Sequence, residues 1–138
     1  MSDSPLDTNV IVRYLIEDPS TIATRFRGVY SFFDKLEKGH QRAFLPDLVL
    51  FQSFFVLTSH YSVPAGEAAE KLKRLIAFRG IEMTEKHVAA ACLVRLRKGS
   101  LDLVDAWLLA WCEDRKCTTV YSFDTDLPKH GLKLLPVC

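Results

Sequence analysis

The chain has almost no excess of either charge: 18 Lys and Arg stand against 17 Asp and Glu, a formal net charge of +1. Any contact with nucleic acid must therefore come from a local patch rather than from bulk charge. There is no glycine-rich phosphate loop and no nucleophile elbow. His40, His60, His87 and His130 are scattered, and no two of them have ligand spacing. Cys92, Cys112, Cys117 and Cys138 form no Cys-x-x-Cys pair, which removes the usual zinc patterns. Cys92 and Cys112 lie in apolar helical text and read as small core residues. The opening Met1-Ser2-Asp3-Ser4 lacks the basic and apolar regions of a secretory signal, so a cytoplasmic protein without disulfides is expected. The longest apolar run, residues 48–57, is broken by Gln52 and Ser53. It falls well short of the roughly 20 residues that cross a bilayer, so no membrane association is expected.

What is present is an ordinary globular balance, with 49% hydrophobic and 25% charged residues over 138 positions. That length suits one domain with its own core, covering residues 1–138. Short β-rich stretches alternate with helical ones. Strands are expected at 4–7, 42–45, 80–83, 117–122 and 132–135. Helices are expected at 8–16, with Thr8 or Asn9 as cap, and at 20–37, 46–61, 64–78 and 84–98. A further helix, capped by Ser100 or Asp102, runs to Arg115. This alternation implies an α/β fold of three layers, a parallel sheet of about five strands flanked by helices. Pro5 conflicts with it, because proline cannot donate to a sheet ladder.

In open α/β sheets ligands bind beyond the carboxyl ends of the strands. Asp7 ends the first strand there, and Asp124 follows the strand Thr118-Thr119-Val120-Tyr121-Ser122. Read alone, Asp7 serves equally well as a helix cap and Asp124 as a turn residue. Asp105 is harder to explain structurally. It sits in Leu103-Val104-Asp105-Ala106-Trp107-Leu108-Leu109, a nearly all-apolar helix, where a carboxylate is costly unless paired or bound to metal. Its place in the first turn returns only about 0.3–1 kcal/mol from the helix dipole. Asp102, three residues earlier, is the better cap. Three carboxylates gathered from strand ends and a helix start would suit Mg²⁺ or Mn²⁺. Such an ion can activate water and neutralise charge on a scissile phosphate.

These residues also carry a family resemblance. Leu6-Asp7-Thr8-Asn9-Val10-Ile11-Val12-Arg13-Tyr14-Leu15 resembles the opening of PIN-domain proteins, VapC-type toxins above all. Leu101-Asp102-Leu103-Val104-Asp105-Ala106 resembles their third acidic motif, and Val120-Tyr121-Ser122-Phe123-Asp124-Thr125-Asp126-Leu127 their fourth. The similarity covers almost the whole chain. It implies a metal-dependent endoribonuclease with Asp7, Asp105 and Asp124 as metal ligands, and Thr8 and Ser122 supporting them through hydroxyl hydrogen bonds. A homodimer and a small inhibitory antitoxin are implied by resemblance alone.

The second motif departs from the pattern. Leu48-Val49-Leu50-Phe51-Gln52-Ser53-Phe54-Phe55 matches the helix in which the family places a glutamate, and here that position is Gln52. Glutamine keeps the shape and an acceptor oxygen but not the charge. The metal site is then weakened, or the chain is an inactive PIN scaffold that binds RNA or protein. Asp47 is a poor substitute for the lost acid, since five helical residues place it about 140° away. Asp102 and Asp126, which flank the acidic motifs, are better placed. Two basic clusters, one of Lys71, Lys73, Arg74 and Arg79 and one of Arg95, Arg97 and Lys98, read as solvated helix faces or as RNA contacts. Arg13 reads as a phosphate contact or as the partner of Glu17. Phe51, Phe54 and Phe55 read as core, or as a groove for a partner.

Overall fold

The computed structural model describes residues 3–138. Its strands lie where β-branched and apolar residues cluster, and all are short. Ala43–Phe44 (β1) pairs in parallel with Ile81–Glu82 (β2), with Ala43 opposite Ile81. On the other edge of β1, Pro5 bridges Phe44. Leu6 N–H donates to the Phe44 carbonyl at 2.8 Å, and Phe44 N–H donates to the Ser4 carbonyl at 2.8 Å. Thr119–Tyr121 (β3) pairs in parallel with Lys133–Leu135 (β4).

The expected single sheet of about five strands is corrected accordingly: all five segments occur, but as two two-stranded parallel sheets and one bridge. Pro5 supplies a physical reason. Along a strand, backbone polar groups alternate between its two edges. Ser4 and Leu6 face β1, so the nitrogen of Pro5 faces the opposite edge, where it has no hydrogen to donate. The concern that Pro5 breaks the first strand is answered on the β1 side, where its missing donor is not needed.

The helices follow the expected order with corrected ends. Thr8–Ile16 (α1) is capped by Asp7, whose Oδ1 accepts from Thr8 N–H at 2.7 Å; the cap lies one residue before Thr8 and two before Asn9. The expected helix over 20–37 is reduced to Gly28–Lys38 (α2), preceded by a 3-10 turn at Thr24–Phe26. Asp18 accepts from both the backbone N–H and the hydroxyl of Ser20, a local pattern that competes with helix formation. The α2 helix stops at Gly39, in the left-handed region at φ 79°, as helices commonly do.

Asp47–Phe55 (α3) is shorter than the predicted 46–61 helix, because its last turn, Val56–His60, widens to i→i+5 bonding. The hydroxyl of Thr58 donates back to the carbonyl of Phe54 at 3.0 Å, and that of Ser53 to Val49 at 2.7 Å, contacts that bend helices. Ala65–Ile76 (α4), Lys86–Arg97 (α5) and Leu103–Arg115 (α6) complete the set. Asp102 caps α6 through Asp105 N–H at 2.8 Å.

The main core joins Leu6, Ile11, Phe33, Leu45, Leu72 and Leu93. A smaller cluster of Leu109, Cys112, Leu127 and Leu132 lies beneath the β3–β4 sheet. All four cysteines are free. Among the described residues, no helix is long and apolar enough to cross a membrane.

Candidate active site

Each carboxylate owes its position to an element end. Asp7 leaves the first strand segment and caps α1, and it is exposed. Beside it, Gln52 emerges from the middle of α3, also exposed. The two line one cavity of about 440 Å³ with Thr8, Arg13, Val56 and Tyr61. Thr8 reaches Asp7 through its backbone N–H. Arg13 pairs with Glu17 at 3.3 Å, and its guanidinium lies 3.4 Å from the centre of the Phe26 ring.

The other acids stand together at the start of α6 and in the loop after β3. Asp105 is half-buried. Burial pushes its carboxyl above the ordinary range, and the negative charges of Asp102, Asp124 and Asp126 push it further, while His130 pulls it down. Asp124 is also half-buried. Its backbone N–H donates to the Ser122 hydroxyl at 3.0 Å, and its Oδ1 accepts from Asp126 N–H at 2.8 Å. Asp126 is held below the usual carboxylate range by its hydrogen bond and ion pair with Lys129, 2.9 Å away.

The sequence-predicted residues thus fall in two halves. Asp7, Thr8 and Gln52 share one cavity, whereas Asp102, Asp105, Asp124 and Asp126 form an acidic group, with Ser122 bonded to its backbone. Asp47 belongs to neither; burial and the charge of Glu85 raise its carboxyl. Phe51 packs edge-on against Trp107 with ring centres 4.8 Å apart, and Phe54 is partly buried against the core. Phe55 is 60% exposed. His130 escaped notice in the sequence because no second histidine stands at ligand spacing; its part in the acidic group is visible only in three dimensions.

Comparison with known proteins decides the family. The PIN domain family matches residues 6–132. The chain is a member of the PIN domain family. Neither a curated protein nor a solved structure matches it. PIN domains are in general nucleases that act on RNA or DNA, usually with divalent metals.

The residues of this PIN domain fit such a metal in type but not in placement. Their donors are hard carboxylate oxygens, the kind that Mg²⁺ and Mn²⁺ prefer. Among the described residues, however, no three His, Cys, Asp or Glu side chains are gathered so as to hold an ion. What the arrangement does provide is a concentration of negative charge around Asp105, which favours a proton or a cation.

Proposed function

We propose that this PIN domain is a metal-dependent endoribonuclease of the VapC toxin type whose site is weakened by Gln52. The observation that carries the reading is the negative charge that Asp102, Asp124 and Asp126 bring to bear on the half-buried Asp105. Like charges that act on one another raise one another's energy, and a divalent cation relieves it. In this reading Asp7, Asp105 and Asp124 are the catalytic and metal-binding carboxylates. Thr8, Gln52, Ser122, Asp102 and Asp126 support them. The ion is Mg²⁺ or Mn²⁺, the substrate is RNA, and the partners are an antitoxin and a second copy of the chain. Leu48 and Phe55 on α3, and Val104 and Trp111 on α6, leave apolar surface in water and support a protein partner.

The test is Mn²⁺ calorimetry with an RNA-cleavage assay on the same protein, using Asp105→Asn as control. Binding and cleavage that both vanish in the control support the nuclease. Binding or cleavage that survives the substitution sinks the assignment.

A second reading, an inactive PIN scaffold that binds RNA or protein, is favoured by the neutral Gln52 beside Asp7 and by the dispersed donors. Gln52→Glu discriminates between them. A weakened nuclease gains metal affinity and cleavage when the carboxylate is supplied, whereas a scaffold cleaves no better than before.

A further inference from the structure

A cavity of about 290 Å³ lies where the end of α5 meets the loop leading to α6, and the nuclease reading does not use it. Arg95, Lys98, Ser100 and His130 line it over an apolar floor that includes Leu109. Arg95 pairs with Glu113 through a terminal nitrogen. Its Nε is buried and has no acceptor among the described residues. That nitrogen is enclosed by protein, so a ligand in the cavity meets Arg95 through the part of its side chain that remains exposed. Lys98 and His130 are exposed and have no ion-pair partner among the described residues. Together with the Ser100 hydroxyl, the walls offer donors and positive charge, opposed by Glu113 on Arg95 and by the neighbouring acidic group.

The position of the cavity narrows the ligand. Ser100 stands two residues before Asp102, the cap of α6, and His130 ends the short turn that Asp126 opens, so the cavity adjoins the acidic group. No Phe, Tyr or Trp lines it, so it has no aromatic surface on which a base would stack. We infer that this cavity is a phosphate subsite that receives a backbone or terminal phosphate of the nucleic acid strand, held by the Arg95, Lys98, His130 and Ser100 side chains. The strand it serves is the substrate of the proposed nuclease, so the inference rests on that reading for its place beside the acids. A polymer suits the site better than a free anion, since a strand anchored elsewhere can bring its phosphate past the neighbouring carboxylates.

The test is fluorescence anisotropy of a labelled single-stranded 2′-O-methyl RNA oligomer, titrated at several salt concentrations in EDTA. The proteins are wild type, Lys98→Ala, the double variant Lys98→Ala/His130→Ala, and Lys35→Ala as an exposed lysine outside the cavity. Both cavity side chains are exposed, so the variants keep the fold. Lys98→Ala is expected to weaken binding about fivefold and to lower the salt slope by about 0.7, the value for one phosphate contact on a single strand. The double variant is expected to lose more, and Lys35→Ala nothing. Equal slopes in wild type and both cavity variants overturn the proposal.

Inorganic phosphate, followed by NMR, separates the two sources of the anion. Shifts at residues 95–101 and 130, together with the altered oligomer slope, support the strand subsite. The same shifts with an unchanged slope overturn it in favour of a small free phosphate compound. No cleavage is read in EDTA, so a chain that binds through this cavity and never cuts would sink the nuclease reading alone.

Discussion

Asp105 concentrates the physical argument at the residue scale. Its place in the first turn of α6 lets the helix dipole favour its charge, while burial and three neighbouring carboxylates oppose it. Burial first, and then the charges of Asp102, Asp124 and Asp126, raise its carboxyl. A carboxyl raised on folding binds more protons in the folded chain than in the unfolded one. The metal-free protein therefore loses stability as pH rises through the acid range, and the full penalty is present at neutral pH. Asp105→Asn should remove that slope and make the metal-free protein slightly more stable at neutral pH, since solvent screens a carboxylate that is only half-buried. Urea unfolding between acid and neutral pH measures both. A variant that is less stable than wild type at neutral pH would show that the dipole, not the crowding, governs this position.

This residue was legible in the sequence because an acid among Leu103, Val104, Ala106 and Trp107 has few structural explanations. Asp7 was legible in position, and its capping role was one of the two readings left open. Thr8 was not, since nothing in Asp7-Thr8-Asn9 says which side chain turns toward the free N–H groups. The orphaned Nε of Arg95 has no signature in sequence at all.

At the scale of elements, the order of strands and helices followed from periodicity and from Pro and Gly. The departures came from interactions that compete with helix or sheet. Ser20 bonding to Asp18 delays α2, back-bonding hydroxyls widen the end of α3, and Pro5 leaves one edge without a donor. The pairing of β1 with β2 depends on Gly80, which the sequence placed at the start of an expected strand. A Cβ on Gly80 would stand 1.9 Å from the Gln41 carbonyl oxygen, and the Gly80 carbonyl accepts from Ala43 N–H at 2.9 Å. Two backbones pass too closely there for a methyl group. Gly80→Ala should destabilise the fold by about 3 kcal/mol, the upper range for overpacking. Chemical denaturation checks this, and a loss within experimental error would mean that the two segments separate easily. By contrast, Asp102→Ala removes a helix cap from an exposed end and should cost only about 1 kcal/mol. The same unfolding measurement ranks the two.

The whole molecule poses the question that no single element answers, which is whether the proposed site joins Asp7 and Gln52 to the acidic group. Asp7 and Gln52 share one cavity, and Asp105 and Asp124 belong to the acidic group near the β3–β4 sheet. An ion that binds the folded chain and not the unfolded one raises thermal stability by mass action, by about 2.7 kcal/mol at a hundredfold excess over Kd. The proposed nuclease therefore predicts a rise in Tm with Mn²⁺, and the pattern of loss among variants locates the ion. If the ion joins the halves, Asp7→Asn and Asp105→Asn each abolish the rise, and Gln52→Glu enlarges it by adding a charged ligand on the Asp7 side. If the ion sits with Asp105 and Asp124 alone, Asp105→Asn abolishes the rise while Asp7→Asn and Gln52→Glu leave it unchanged. The second pattern would remove Asp7 from the metal site and leave it as the cap of α1, with Gln52 no longer a weakness. Because thermal shift reads binding rather than turnover, the patterns stay distinct whether or not the chain cuts RNA.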